Sequence, residues 1–291
     1  MDEATRRVRA LKILISNDDG IHAKGIKVLA QRLAQEPEHE VYVVAPDRER
    51  SATGHSLTLH KPLRIEAIEM PGQVKGAWST TGTPSDCVKL AITELLPVKP
   101  DMVISGINNG PNLGSEILYS GTVAAAMEGA FLDIPSVACS LQWGEQRHFD
   151  TAAEVLARLV KIFPKAHLEP RSLLNVNVPN VPLADVQGVR LTQVGVRGYN
   201  DYFEKRTDPR GRVYYWLAGV AIEEGEAENS DAWAVLHNFV SVTPVAFTMT
   251  DQIALKKLES VSDFARILAS GGSSAVSPAN ESTDQHGARK K

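Results

Sequence analysis

Lys12-Ile13-Leu14-Ile15-Ser16-Asn17-Asp18-Asp19-Gly20 decides how the rest of the chain is read. Its first half is a short apolar run followed by turn residues, the pattern of a strand buried in a parallel sheet. Residues 17–24 then form a polar loop. From Gly25 onward Ile26, Leu29, Ala30 and Leu33 recur at i, i+3, i+4 and i+7, the spacing that gives a helix one buried face. Residues 41–45 supply a second β-branched strand, stopped by Pro46. Strand, helix and strand make a βαβ unit.

The alternation continues outward from there. Thr83-Pro84 reads as an N-cap with proline at the first helical position, and Val88, Ala91, Ile92 and Leu95 mark the buried face of the helix that follows. Residues 100–105 form the next strand, and a Gly/Asn-rich loop over 106–121 leads into a small-residue helix over 122–130. A strand over 136–140, a helix over 152–163, and strands over 173–178 and 189–194 complete the series. Strands alternating with helices predict an α/β fold with a doubly wound, mostly parallel sheet, whose ligands bind outside the carboxyl ends of the strands.

Residues 199–228 break this rhythm. Asp208-Pro209-Arg210-Gly211 is a turn signal and Tyr214-Tyr215-Trp216 an aromatic run, so the segment reads as an extended arm or hairpin. Exposed aromatics on such an arm need covering, which makes it a candidate oligomer contact. The expected organisation is a flexible N-terminus over 1–10, one α/β domain over 11–270 with its arm at about 199–228, and a disordered tail over 271–291, rich in Gly, Ser and charge.

Composition removes several classes. A net charge of −4 gives no electrostatic reason to expect a nucleic-acid polymer as partner, whereas a small phosphorylated substrate needs only a local positive site. Cys87 and Cys139, the only two cysteines, each sit in an apolar run and read as small core residues, not as a disulfide or a catalytic thiol. The polar first nine residues and the short apolar stretch over 11–15, interrupted by Lys12, match neither a signal peptide nor a membrane span, so a cytoplasmic protein without membrane partners is expected.

Three polar clusters directly follow expected parallel strands: Asn17-Asp18-Asp19-Gly20, residues 47–51 (Asp-Arg-Glu-Arg-Ser), and residues 106–112 (Gly-Ile-Asn-Asn-Gly-Pro-Asn). A doubly wound sheet brings such clusters to one edge. Adjacent carboxylates repel and stay ionised together only beside a cation or dense hydrogen bonding, and hard oxygen ligands favour Mg²⁺, Mn²⁺ or Ca²⁺. Asp18 and Asp19 are therefore the first metal-ligand candidates, although Asp-Asp-Gly alone also reads as an ordinary turn. Ser51 and Asn108 can add neutral oxygens while leaving positions open for water and a phosphate oxygen. Ser120-Gly121-Thr122 immediately precedes a helix, where free backbone N–H groups and the positive dipole end suit a phosphate.

At these clusters the sequence resembles the SurE family, the survival-protein-E nucleotidases. The likeness rests on an ordered string: residues 13–20, 44–51, 56–59, Gly82-Thr83-Pro84-Ser85-Asp86-Cys87-Val88, residues 105–114 and Ser120-Gly121-Thr122-Val123-Ala124-Ala125-Ala126. Weaker matches extend it over roughly residues 11–255. The resemblance implies a Rossmann-like core, a C-terminal extension exchanged within a homodimer or tetramer, and hydrolysis of nucleoside 5′- and 3′-monophosphates with one divalent ion per subunit, Mg²⁺ or Mn²⁺. Short polyphosphate is a further substrate to consider. By position the family's metal ligands fall on Asp18, Asp19, Ser51 and Asn108, and its phosphate pocket on Asn112, Gly114, Ser120, Gly121 and Thr122. Lys24 stands where the family usually has proline, and residues 51–55 and 232–237 depart from its commonest forms.

Two chemical routes stay open at this stage. A metal-activated water can attack phosphorus in line, or Asp18 or Asp19 can attack directly and form an acyl phosphate. The competing class is a non-catalytic, receiver-like phosphate- or nucleotide-binding module, which also carries paired acids after its first strand. Such a module needs an acceptor aspartate ending a later strand, and Val103-Ile104-Ser105-Gly106-Ile107-Asn108 offers no carboxylate there.

Overall fold

The structure is a computed structural model that describes residues 9–163, 168–196, 198–222 and 227–261. The expected tail over 271–291 and residues 1–8 of the expected flexible N-terminus lie outside the described residues. The chain divides into two compact units, residues 1–247 and 248–291.

In the first unit, β1 (Leu11–Ser16), α1 (Lys24–Leu33) and β2 (His39–Pro46) form the expected βαβ unit, with β1 and β2 parallel from Leu11 opposite His39 to Ile15 opposite Val43. Ile26, Leu29, Ala30 and Leu33 of α1 are all fully buried, as their spacing requires. Then follow β3 (Ile65–Ala67), β4 (Gly76–Thr80), α2 (Pro84–Leu90) with a wider turn over Ala91–Leu95, β5 (Met102–Asn109), α3 (Gly121–Phe131), β6 (Ser136–Leu141), α4 (Phe149–Ile162), β7 (Ser172–Val178), β8 (Gly188–Leu191), β9 (Gly198–Thr207), β10 (Val213–Ile222), α5 (Asp231–Leu236) and β11 (Phe239–Ala246). Nine strands form one sheet in the order β3-β4-β2-β1-β5-β6-β7-β11-β8. Its centre is parallel, and β3 and β11 run antiparallel to β4 and β7. The strand order reverses direction between β2 and β5, on either side of β1, which is the switch point where α/β sheets place ligands.

The helices cover both faces. Ile13, Ile15, Val41 and Val43 pack with α1 and α4, while Leu14, Tyr42 and Val44 pack with Cys87, Val88 and Ala91, so alternate residues of one strand serve two cores. Both cysteines are buried and unbridged, and burial pushes both thiols up, which fits a packing role. α2 starts with a capping box in which the Thr83 hydroxyl accepts from Asp86 N–H and Asp86 accepts from Thr83 N–H. Several expected ends moved, and α4 starts at Phe149 instead of 152. β5 runs to Asn109 instead of stopping at 105, and β8 stops at Leu191 instead of continuing to 194.

The segment after 198 is a hairpin, with β9 and β10 paired antiparallel from Gly198 opposite Ile222 to Thr207 opposite Val213. Asp208 closes its tip by accepting from Arg210 and Arg212 N–H. The second unit contains α6 (Gln252–Glu259), whose N-cap Asp251 accepts from Ile253 and Ala254 N–H at 2.9 Å. Among the described residues no helix is long and apolar enough to cross a membrane.

Candidate metal and phosphate site

The loop after β1 is closed by its own first residue. Asn17 is buried, donates Nδ2 to Gly20 O at 3.0 Å and accepts from Gly20 N–H at 3.2 Å. Gly20 holds φ +96°, and a Cβ there would lie 3.0 Å from the Arg48 carbonyl carbon, so glycine is required on both counts. Ile21 N–H donates to Pro46 O and Arg50 N–H to Asp18 O, each at 2.8 Å, which pins this loop to the one after β2. The turn reading of Asn17 and Gly20 is therefore right, and it serves to hold Asp18 and Asp19 at the strand end.

α3 delivers the floor beneath Asp18. Thr122 Oγ1 donates a short hydrogen bond to Asp18 Oδ1, and a Cβ on Gly121 would come within 2.7 Å of Asp18 Cβ. Only glycine lets the helix start this close. Burial pushes the Asp18 carboxyl up to about 6, with the Thr122 hydroxyl opposing and the neighbouring Asp19 charge reinforcing. Burial also raises Asp19, against a 3.0 Å hydrogen bond from Asn109 N–H, and the Glu49 charge adds to the rise. Neither carboxylate has a cationic partner among the described residues. Two ionisable oxygens held together at this cost suit a ligand that supplies positive charge.

Asn108 reaches the same edge through an irregularity in β5. The register against β6 shifts between Ser105 and Asn108, at Gly106, where φ is +140° and a Cβ would sit 2.4 Å from Cys139 O. A strand expected to stop at this glycine instead continues through a bulge, which re-aims the residues beyond it. Asn108 Nδ2 donates to Gly110 O at 2.8 Å, leaving the amide oxygen free for another partner. Ser51 follows β2 and its hydroxyl is held by Glu49 Oε1.

These elements enclose a cleft of about 350 Å³ lined by Asp18, Asp19, Ser51 and Asn108 together with Asn112 and Ser120. Residues from positions 18 to 120 thus meet at one place. Gly121 and Thr122 stand behind Asp18 and do not line the cleft. Gly114 does not reach it either: its N–H donates to Asp231 Oδ2 at 3.0 Å, so it serves to anchor the loop. Ser120 caps α3 by accepting from Val123 N–H at 3.1 Å. A larger hollow, about 530 Å³, lies at the opposite edge before β6 and β7 and contains none of these residues.

Sequence reasoning missed the supports. Asn112 N–H donates to Asn177 Oδ1, its carbonyl accepts from Asn175 and Asn177, and its Nδ2 donates to Ser140 Oγ at 2.7 Å. Asn175 and Asn177 are fully buried on β7, and two asparagines at i, i+2 inside an apolar strand were the available signal. Asp231 is likewise buried and accepts from Gly114, Gly195 and Ala232 N–H. Glu128, the only acid on α3, accepts from His55 Nε2 and Lys89 Nζ, each at 2.8 Å. Burial pushes Glu128 up, but these two hydrogen bonds outweigh it and hold the carboxyl below its usual range. Glu49, from the polar cluster over 47–51, also lines the cleft, as do Glu116, Tyr119 and Trp143, which were not anticipated.

The donor set fits a hard divalent cation: two carboxylates, one hydroxyl and one amide oxygen at a strand-end switch point. Among the described residues no three His, Cys, Asp or Glu group as a metal site, so the cleft offers two adjacent carboxylates completed by neutral oxygens.

The family model for survival protein SurE matches residues 13–201. A protein of Synechococcus elongatus named 5′-nucleotidase SurE is 51% identical over 259 residues, covering 87% of this chain and all of that one. One of the same name from Pelotomaculum thermopropionicum is 48% identical, with 89% and 98% covered. The crystal structure of a SurE protein from Aquifex aeolicus superposes with a TM-score of 0.75 at 40% identity, covering 85% of this chain and 98% of its own.

Proposed function

The chain belongs to the SurE family, and we propose on that premise that it is a 5′-nucleotidase, a phosphoric monoester hydrolase that cleaves nucleoside monophosphates to nucleoside and phosphate. The observation that carries the reading is the meeting of Asp18, Asp19, Ser51 and Asn108 in one cleft beside the start of α3. Relatives bearing the nucleotidase name match almost their whole length, so the assignment does not depend on a shared fold alone.

Asp18, Asp19, Ser51 and Asn108 would hold one divalent ion, Mg²⁺ or Mn²⁺, which when bound supplies charge neutralisation for phosphate and lowers the pKa of water. The remaining work falls to the chain. Asp18 is kept in place by Thr122 and Gly121, and Asp19 by Asn109 N–H. Ser120 and the second amide hydrogen of Asn112 are the cleft's candidates for phosphate oxygens, at the positive end of an 11-residue helix. Gly121 and Thr122 contribute through Asp18. Asp18, buried and already bonded at Oδ1, is the ligand and positioning acid, while the less buried Asp19 is the better placed of the two for attack or for orienting water. The β9–β10 hairpin, with its exposed aromatics, would contact a second copy of this chain.

The test is phosphate release from a panel of nucleoside 5′- and 3′-monophosphates and short polyphosphate, after chelation and after return of Mg²⁺ or Mn²⁺. The expected result is metal-dependent release from nucleotides that collapses in Asp18→Asn. Wild type without metal-dependent release, and indistinguishable from Asp18→Asn, would support the phosphate-binding module instead.

A further inference from the structure

One residue of the cleft wall has no part in the chemistry just described. Trp143 lies two residues beyond β6, whose last residue Leu141 pairs with Asn109 of β5, and it lines the same cleft as Asp18, Asp19, Ser51 and Asn108. Its side chain is restrained. Gly110 has φ +147°, and a Cβ there would lie 2.3 Å from Trp143 Cζ2 and 2.7 Å from Cη2, so the indole seats where only glycine leaves room. The Arg147 guanidinium carbon sits over the ring, 5.1 Å from its centroid. Despite these contacts Trp143 is 61% exposed.

A tryptophan used for packing buries its ring; this one is held at its edge by Gly110 and on one face by Arg147, and the rest stays open on the cleft. We propose that Trp143 is a specificity-determining residue, the platform on which the nucleobase of the substrate stacks while its phosphate lies at the Asp18–Ser120 end. This inference rests on the nucleotidase reading and adds to it the part of the substrate that is recognised. A cleft of about 350 Å³ is of a size for one small molecule. Base stacking on an aromatic ring tolerates every base but grows with ring area, so purine nucleotides gain more than pyrimidine ones. Tyr119, exposed on the same cleft, is the alternative platform; among the described residues it has neither a glycine seat nor a guanidinium cover.

The experiment compares kcat/KM for adenosine 5′-monophosphate and for ribose 5-phosphate, which lacks a base, in wild type, Trp143→Ala, Trp143→Phe and Tyr119→Ala with Mn²⁺ present. The ratio of the two values cancels any loss of folded or metal-loaded protein. Trp143→Ala is expected to lower the ratio about tenfold or more, chiefly by raising KM for the nucleotide, the scale of one lost base stack. Trp143→Phe should recover most of it. A wild-type ratio in Trp143→Ala, or a fall in Tyr119→Ala alone, overturns the proposal while leaving the nucleotidase reading intact. A wild type inactive on both esters would remove that reading and this inference with it.

Discussion

The loops that wall the cleft are short, arrive from five separate stretches of sequence and are clamped by buried hydrogen bonds, whereas the β9–β10 hairpin is one continuous stretch that, among the described residues, forms a sheet of its own two strands. Asn17, Asn112, Asn175, Asn177 and Asp231 all lie in the interior and spend their polar groups fixing backbone near the cleft. The hairpin instead shows Phe203, Tyr215, Trp216 and Leu217 to its surroundings, with Trp216 59% exposed. A preorganised site needs a supporting layer, whereas exposed aromatics on an arm need covering, which is the role proposed for a second copy of this chain. Changes at the two regions should therefore separate cleanly into loss of chemistry and loss of assembly.

The largest effect belongs to the cleft. Asp19→Asn keeps the side chain's size but removes a charge from the donor set, and kcat/KM for nucleotides should fall on the order of 10²–10³-fold, the range for one preorganised electrostatic group. Steady-state kinetics with saturating Mn²⁺ checks this. If the variant kept near-wild-type kcat/KM, the carboxylate pair would be no more than a turn.

Acid response comes next. The Asp18 carboxyl is raised from 3.8 to about 6, so between those values the folded metal-free chain holds a proton that the unfolded chain has released. Stability from this group is full below about pH 4 and is lost as pH rises through 6, by about 3 kcal/mol across the window. Glu128, held below its usual range, gives a slope of opposite sign, so the quantity to measure is the difference between wild type and Asp18→Asn in denaturant unfolding from pH 4 to 7. In the same window divalent-ion affinity should fall with falling pH, because binding must displace the proton.

A smaller effect is expected one layer back. Thr122→Val keeps the β-branched shape but removes the hydroxyl bonded to Asp18, and metal affinity should weaken roughly 10- to 100-fold, the usual scale for a residue that orients a ligand. Calorimetric titration with Mn²⁺ reads it directly. At the hairpin, Trp216→Ala should weaken self-association by about 2 kcal/mol, roughly 30-fold, as for a central aromatic anchor, while metal affinity stays close to wild type. Sedimentation equilibrium distinguishes this from a hairpin that has no partner.

Much of this architecture was legible from local pattern. The spacing of Ile26, Leu29, Ala30 and Leu33 and the Thr83-Pro84 start placed α1 and α2, and the turn at residues 208–211 placed the hairpin. Three strands escaped. β3 and β4 lie in a Gly- and Pro-rich stretch with no sustained alternation, and β11 carries Ser241, Thr243 and Pro244 among its apolar residues. Gly106 read as a breaker because the contact that requires it, Cys139 O, belongs to another strand. The site followed the same division. Asp18, Asp19, Ser51 and Asn108 could be brought to one edge because each belongs to a polar cluster that follows an expected strand, and all four line the cleft. The bond from Thr122 to Asp18 spans 104 positions, and the tie from Asp231 to Gly114 spans 117, so neither leaves a local trace. Trp143 gave no periodic or motif signal, and its place in the cleft depends on Gly110 making room.

Whether Asp18, Asp19, Ser51 and Asn108 act as one centre is read most directly from ion binding, which needs no assumption about substrate. Equilibrium dialysis of chelator-treated protein against Mn²⁺ at pH 7.5 should give about one ion per chain for wild type, with binding abolished in Asp18→Asn and weakened in both Ser51→Ala and Asn108→Ala. Wild-type stoichiometry and affinity in Asp18→Asn would contradict a single centre.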